Sequence, residues 1–204
     1  MIDVAIQLCT EQGYDNTTVE QIAAAAEIAP RTFSRYFSSK EAVIVAVLDE
    51  VADDVASCFA RQPLDITHYE ALARAHVEVF RSARYAQPGS VEFDRMRLVL
   101  TIVNSAPAIG LAPFMFRADT FHRGAIEVAT RRLGVAANHP AIRILFDTWA
   151  VVMGVACRDL GTANGPPVEP GVLCDRIESM YGVFTRLWTS SPTPDQPPTG
   201  VAAE

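Results

Sequence analysis

The sequence predicts an all-α fold, with an N-terminal three-helix head followed by a larger helical body. Apolar residues recur at helical spacing through most of the 204-residue chain, without the sustained period-two alternation of half-buried strands. Proline, glycine and hydroxyl-led capping patterns punctuate those stretches where helices would stop and start. Half of the residues are hydrophobic and 20% are charged, which suits a globular chain able to build a sizeable core.

The elements follow in order. A helix is expected over 2–12, where Ile2, Ala5, Ile6 and Cys9 share a face and Gly13 is the stop. Thr17-Thr18-Val19-Glu20 has capping-box form, with Thr17 as the cap and Glu20 reaching back to a free amide. It opens a second short helix that carries Val19, Ile22, Ala23 and Ala26 inward. The third begins near Ala29, with Pro30 in the first turn, where its missing N–H costs nothing, and ends around Tyr36-Phe37. Ser38-Ser39-Lys40-Glu41 repeats the capping-box pattern ahead of a long helix whose apolar side reads Ile44, Val47, Leu48, Val51, Val55, Phe59. Gln62-Pro63-Leu64-Asp65 breaks it. Further helices are expected over 68–85, 92–105, 114–133, 141–160 and 172–188. From Ser190 the chain turns polar and proline-rich, as disordered tails are. The expected domains are therefore a helix-turn-helix head over 1–48, a body over 49–189 and a disordered tail over 190–204.

Several function classes fall away. No uninterrupted apolar run approaches the roughly 20 residues that cross a bilayer, and Met1-Ile2-Asp3-Val4 does not begin like a signal peptide. No membrane partner and a cytoplasmic location are expected. Cys9, Cys58, Cys157 and Cys174 lie far apart among apolar neighbours, which predicts reduced core cysteines and no metal site. His68, His76, His122 and His139 lack triad or ligand spacing, and no nucleophile elbow, phosphate loop, zinc-protease or dinucleotide motif is present. Neither catalytic residues nor a cofactor are expected.

The second and third helices, joined by a tight turn, have the form of a helix-turn-helix, whose second helix enters the major groove of double-stranded DNA. The exposed side of Pro30–Tyr36 would present Arg31, Thr32, Ser34, Arg35 and Tyr36, with Ile28, Phe33 and Phe37 facing the core. Arginine can pair bidentately with guanine, while the hydroxyls suit phosphates or single base edges. Lys40 would offer its charge to a backbone phosphate beside the free amides of the next helix.

The run Thr17-Thr18-Val19-Glu20-Gln21-Ile22-Ala23, continuing through Ala26-Glu27-Ile28-Ala29-Pro30-Arg31-Thr32-Phe33-Ser34-Arg35-Tyr36-Phe37-Ser38-Ser39-Lys40-Glu41, resembles the DNA-binding head of the tetracycline-repressor (TetR) family. The resemblance covers about the first 48 residues. It implies a homodimer whose heads bind an operator and whose bodies form the ligand pocket and dimer interface. It also implies DNA contacts from Thr18, Arg31, Thr32, Ser34, Arg35, Tyr36 and Lys40. Three departures stand out. Glu27 occupies the turn position that is usually glycine, and Ser34 replaces a usual aromatic residue. The family usually has a basic arm before the first helix, and this sequence begins almost inside that helix. The chain carries a net −7, and over 1–48 three basic residues (Arg31, Arg35, Lys40) face six acidic ones (Asp3, Glu11, Asp15, Glu20, Glu27, Glu41). Phosphate neutralisation requires basic groups, so a regulator-like interaction protein with a degenerate head stands as the alternative.

In the body, Ile142, Leu145, Phe146, Trp149, Met153, Ala156 and Leu160 form one stripe, and Leu173, Ile177, Met180, Tyr181, Phe184, Leu187 and Trp188 another. Both faces are broader than one packing partner would cover, which predicts a four-helix dimer interface. Phe80, Phe93, Met96, Phe121, Trp149 and Met153 are the candidate lining of a pocket for a small hydrophobic effector, acyl or aromatic. His76, Arg95, Arg97, His122 and Arg158 are interspersed as candidate polar contacts.

Overall fold

The computed structural model describes residues 1–87, 90–105 and 123–189. Among them every regular element is a helix: α1 Ile2–Gln12, α2 Val19–Ala25, α3 Pro30–Tyr36, α4 Lys40–Arg61, α5 His68–Arg81, α6 Ala83–Ala86, α7 Val91–Ser105, α8 Arg123–Leu133, α9 Pro140–Ala156 and α10 Pro170–Thr189. None of these helices is long and apolar enough to cross a membrane. The expected tail over 190–204 and the expected helical stretch over 114–122 lie outside the described residues.

The head closes on Ala5, Ile22, Ala23, Phe33 and Val43, with Ile28 and Phe37 packed against them. A second cluster joins head to body: Ile6 and Cys9 of α1 meet Ile44 and Val47 of α4 and Val99 and Ile102 of α7. The main core then runs through α4, α5, α7, α8, α9 and α10. All four cysteines are free and buried.

Helix starts differ from the expected register by one residue in two places. Thr18, not Thr17, caps α2: its hydroxyl accepts from the Gln21 N–H at 3.2 Å, and the Gln21 side chain accepts from the Thr18 N–H at 2.9 Å. Thr17 is buried instead and donates to the Gly13 carbonyl at 2.9 Å. Ser39 rather than Ser38 caps α4, accepting from the Ala42 N–H at 3.3 Å. Glu41, expected to close a capping box there, accepts from the Tyr14 hydroxyl. At the first of these the capping hydroxyl is the one left outside the core, because the buried Thr17 cannot also face the helix end.

Two expected helices are shorter. The stretch 68–85 breaks at Ser82, whose extended backbone separates α5 from α6. The stretch 141–160 stops at Ala156, and the turn after it holds Asp159 at φ 64.

Candidate nucleic-acid interface and ligand cavity

The head assembles the candidate DNA contacts on α3 and its borders. Arg31, Ser34, Arg35 and Tyr36 are exposed and Thr32 is half-buried, whereas Phe33 is wholly buried and anchors the helix. The Arg35 guanidinium lies 5.0 Å from the centre of the Tyr36 ring and donates to its hydroxyl at 3.2 Å. Thr18 is exposed at the mouth of α2. Lys40 stands differently from its expected use. Its ammonium donates to the carbonyls of Tyr14 at 2.6 Å and Thr17 at 3.0 Å, above the Tyr14 ring at 4.0 Å. It therefore clamps the loop between α1 and α2, and only its third proton remains for another acceptor.

The acidic residues of the head are partly neutralised in place. Arg95 of α7 holds both oxygens of Asp3, at 2.5 and 3.0 Å, and approaches Glu50 at 3.4 Å. The hydrogen bond from Arg95 is the main reason the Asp3 carboxyl is held below its usual range. Burial pushes the Glu41 carboxyl up, yet the hydrogen bonds from Tyr14 and Ser39 outweigh it and bring it down. Glu20 and Glu27 remain exposed. The turn between α2 and α3 places Glu27 at φ 55, the left-handed conformation that its position demands.

Beneath the head lies a cavity of about 210 Å³ lined mainly by α4, α5, α7 and α9, with Ala125 of α8 and Leu173 of α10 completing it. Val45, Leu48, Ala52 and Val55 of α4 form its head-side wall, and Met96 and Leu100 of α7 another. Of the candidate lining, the structure brings Phe80, Met96, Trp149 and Met153 together there. Phe93 lines a neighbouring open groove with Arg97 instead, and Phe121, like His122, lies outside the described residues. Arg95, expected among polar contacts of the pocket, faces the head, and Arg158 is exposed at the end of α9.

Of the candidate polar contacts, His76 is the one that lines this cavity. It follows Leu72 and precedes Phe80 at four-residue spacing on α5, so all three share the cavity face. Its Nδ1 lies 2.8 Å from the Leu72 carbonyl. A carbonyl only accepts, so Nδ1 carries the proton and Nε2 keeps its lone pair. The Trp149 indole N–H points at that lone pair from 3.5 Å. Burial lowers the His76 pKa to about 4, so the ring is neutral near pH 7.

On the outer side, Ile144, Val151 and Val155 of α9 and Val183, Leu187 and Trp188 of α10 are exposed. The stripe Ile142, Leu145, Phe146, Trp149, Met153, Ala156, Leu160 is consumed inside the chain. The surplus apolar face is thus a different one from the expected α9 stripe, while on α10 Leu187 and Trp188 do face out, each 75% exposed.

Comparison with known proteins agrees with this architecture. Residues 1–47 match the family model described as bacterial regulatory proteins, tetR family. The HTH-type transcriptional regulator TcmR of Streptomyces glaucescens is 29% identical over 135 residues, covering 66% of this chain and 59% of TcmR. HbdR of Aromatoleum sp. (strain CIB), also an HTH-type transcriptional regulator, is 34% identical over 68 residues, 33% of this chain and 30% of HbdR. The matches therefore span less than two thirds of these relatives' length. Thermus thermophilus FadR, a TetR-family transcriptional repressor crystallised with lauroyl-CoA, aligns over 97% of both chains with a TM-score of 0.51 and 18% identity, a likeness of fold alone. The head is thus similar in sequence to the tetR family of bacterial regulatory proteins, and the whole chain shares its fold with a TetR-family repressor.

Proposed function

We propose that the chain is a ligand-responsive repressor that binds a pseudo-palindromic operator as a homodimer and leaves it when a small hydrophobic effector fills the cavity. One observation carries this reading: α4 and α7 each touch both the head and the cavity. Val43, Ile44 and Val47 of α4 pack in the head clusters, and one turn on, Leu48 and Ala52 line the cavity. Val99 of α7 packs beside α1 while Met96 and Leu100 line the cavity, and Arg95 of the same helix holds Asp3. A ligand that shifts either helix must shift the head with it, which is the differential contact that coupling requires. Heads placed about 34–36 Å apart reach successive major grooves, so a small splaying suffices. The domain division at 1–48 and 49–189 is part of this proposal. So are Thr18, Arg31, Thr32, Ser34, Arg35 and Tyr36 as DNA contacts.

The dimer would form through the outer apolar faces of α9 and α10, where six large apolar side chains stand exposed. The test is a fluorescence-anisotropy titration of the DNA flanking the protein's own gene, run with sedimentation and repeated with acyl and aromatic compounds. Sequence-selective binding by a dimer, weakened by a compound that raises thermal stability, is the expected result. The acidic head and the internal use of Lys40 favour a second reading, an interaction protein whose head does not bind DNA. Absence of sequence-selective binding at low salt would favour it.

A further inference from the structure

We propose that the cavity recognises its ligand through His76 and Trp149, and that this pair selects a compact apolar ring compound bearing one neutral hydroxyl over a hydrocarbon or a carboxylate. This rests on the reading of the cavity as the effector site. The walls around the pair are apolar, with Phe80, Met96 and Met153 among them. Into this space the pair presents one acceptor, the His76 Nε2 lone pair, and one donor, the Trp149 indole N–H. Their mutual contact at 3.5 Å is at the far limit of a hydrogen bond, so neither is well used. A hydroxyl is the complement of such a pair, since it donates to Nε2 and accepts from the indole at once.

A carboxylate fits poorly. It has no proton for Nε2, and the His76 ring offers it no charge because burial keeps it neutral down to about pH 4. The Leu72 carbonyl, 2.8 Å from Nδ1, pins the tautomer and prevents the ring from presenting a donor instead. Size points the same way: an apolar cavity of roughly 150 Å³ takes one benzene ring, so about 210 Å³ suits a substituted ring. The His76 ring lies 5.4 Å from that of Trp149 and 6.5 Å from that of Phe80, an aromatic wall suited to a flat guest.

The test compares three compounds of similar shape by calorimetry and thermal shift: thymol, its deoxy analogue cymene, and the carboxylate isopropylbenzoate. The wild type is expected to bind thymol about tenfold more tightly than cymene, and isopropylbenzoate most weakly. In His76→Phe the thymol advantage is expected to vanish, with cymene affinity changing less than about twofold. Nitrogen NMR of the wild type supplies a readout independent of the variant's folding: thymol, not cymene, should shift the His76 Nε2 resonance in the direction of hydrogen bonding. Equal affinities for thymol and cymene, or an unmoved Nε2 resonance, overturn the inference while leaving an apolar effector site standing. Tightest binding of isopropylbenzoate overturns it as well. If none of the three binds, both the inference and the effector-site reading fall.

Discussion

Replacing Glu27 with glycine is expected to stabilise the protein, although it removes a side chain from the turn on which the DNA-binding head depends. α2 ends with the Ile28 N–H bonded to the Ala23 carbonyl at 2.9 Å and the Glu27 N–H to the Ala24 carbonyl at 3.1 Å. This pair of bonds is the Schellman motif, and it requires a left-handed residue after the cap. Glu27 is that residue, at φ 55. A side chain in this conformation costs about 1–2 kcal/mol, against which glycine loses about 0.5–1 kcal/mol more entropy on folding. The net gain is about 0.5–1 kcal/mol, equivalent to a rise of roughly 1–4 °C in Tm for a chain of this size. The carboxylate is exposed, so losing it has little direct cost. Urea titration and thermal scanning of wild type, Glu27→Gly, Glu27→Ala and Glu27→Gln separate the effects. Only the glycine variant should gain stability, while all three should bind DNA more tightly at low salt through loss of one negative charge beside the phosphates. A glycine variant no more stable than Glu27→Ala would refute the strain argument.

Arg31→Ala and Arg35→Ala are each expected to cost about 1–3 kcal/mol in operator binding and to relax preference at a base position, read by titration against single-base operator variants. Lys40→Ala should weaken all sequences alike and, because two carbonyls lose a charged donor, should also lower head stability by about 1–3 kcal/mol. A base-specific effect of Lys40→Ala would contradict its clamping role. Val151→Glu combined with Leu187→Glu should give folded monomers in sedimentation, since both positions are exposed, and unchanged dimers would place the interface elsewhere. Arg95→Ala should leave ligand affinity intact but reduce the ligand's effect on DNA binding several-fold, because coupling of this kind is worth about 1–3 kcal/mol. For His76, the folded pKa of about 4 lies below the ordinary 6.5. Its contribution to stability is therefore full above pH 6.5 and lost as pH falls toward 4, a loss of about 3 kcal/mol. His76→Phe should flatten that part of the stability–pH curve measured by urea titration.

Much of the head was legible residue by residue. α1 and α3 have the bounds expected from Gly13, Pro30 and the apolar spacing, and Phe33 and Phe37 turn inward as the pattern requires. The capping register was not legible: adjacent hydroxyls at Thr17-Thr18 and Ser38-Ser39 have equal local claims, and at the first pair burial of Thr17 leaves Thr18 to cap. The cavity was half legible. Phe80, Met96, Trp149 and Met153 meet as expected, but Phe93, one turn before Met96 along α7, opens into the neighbouring groove, and of the interspersed polar candidates only packing shows that His76 is the one in the cavity.

Local chemistry therefore determined the helices, the exposed face of α3 and the glycine-type turn at Glu27, because capping, periodicity and backbone strain act within a few residues. Contacts between distant segments decided the rest. Asp3 and Arg95 are 92 positions apart, His76 and Trp149 are 73 apart, and Lys40 reaches back 26 and 23 residues to its carbonyls. Which apolar stripe of α9 is buried and which stays exposed depends on where α5 and α10 pack, and no periodicity along α9 records that.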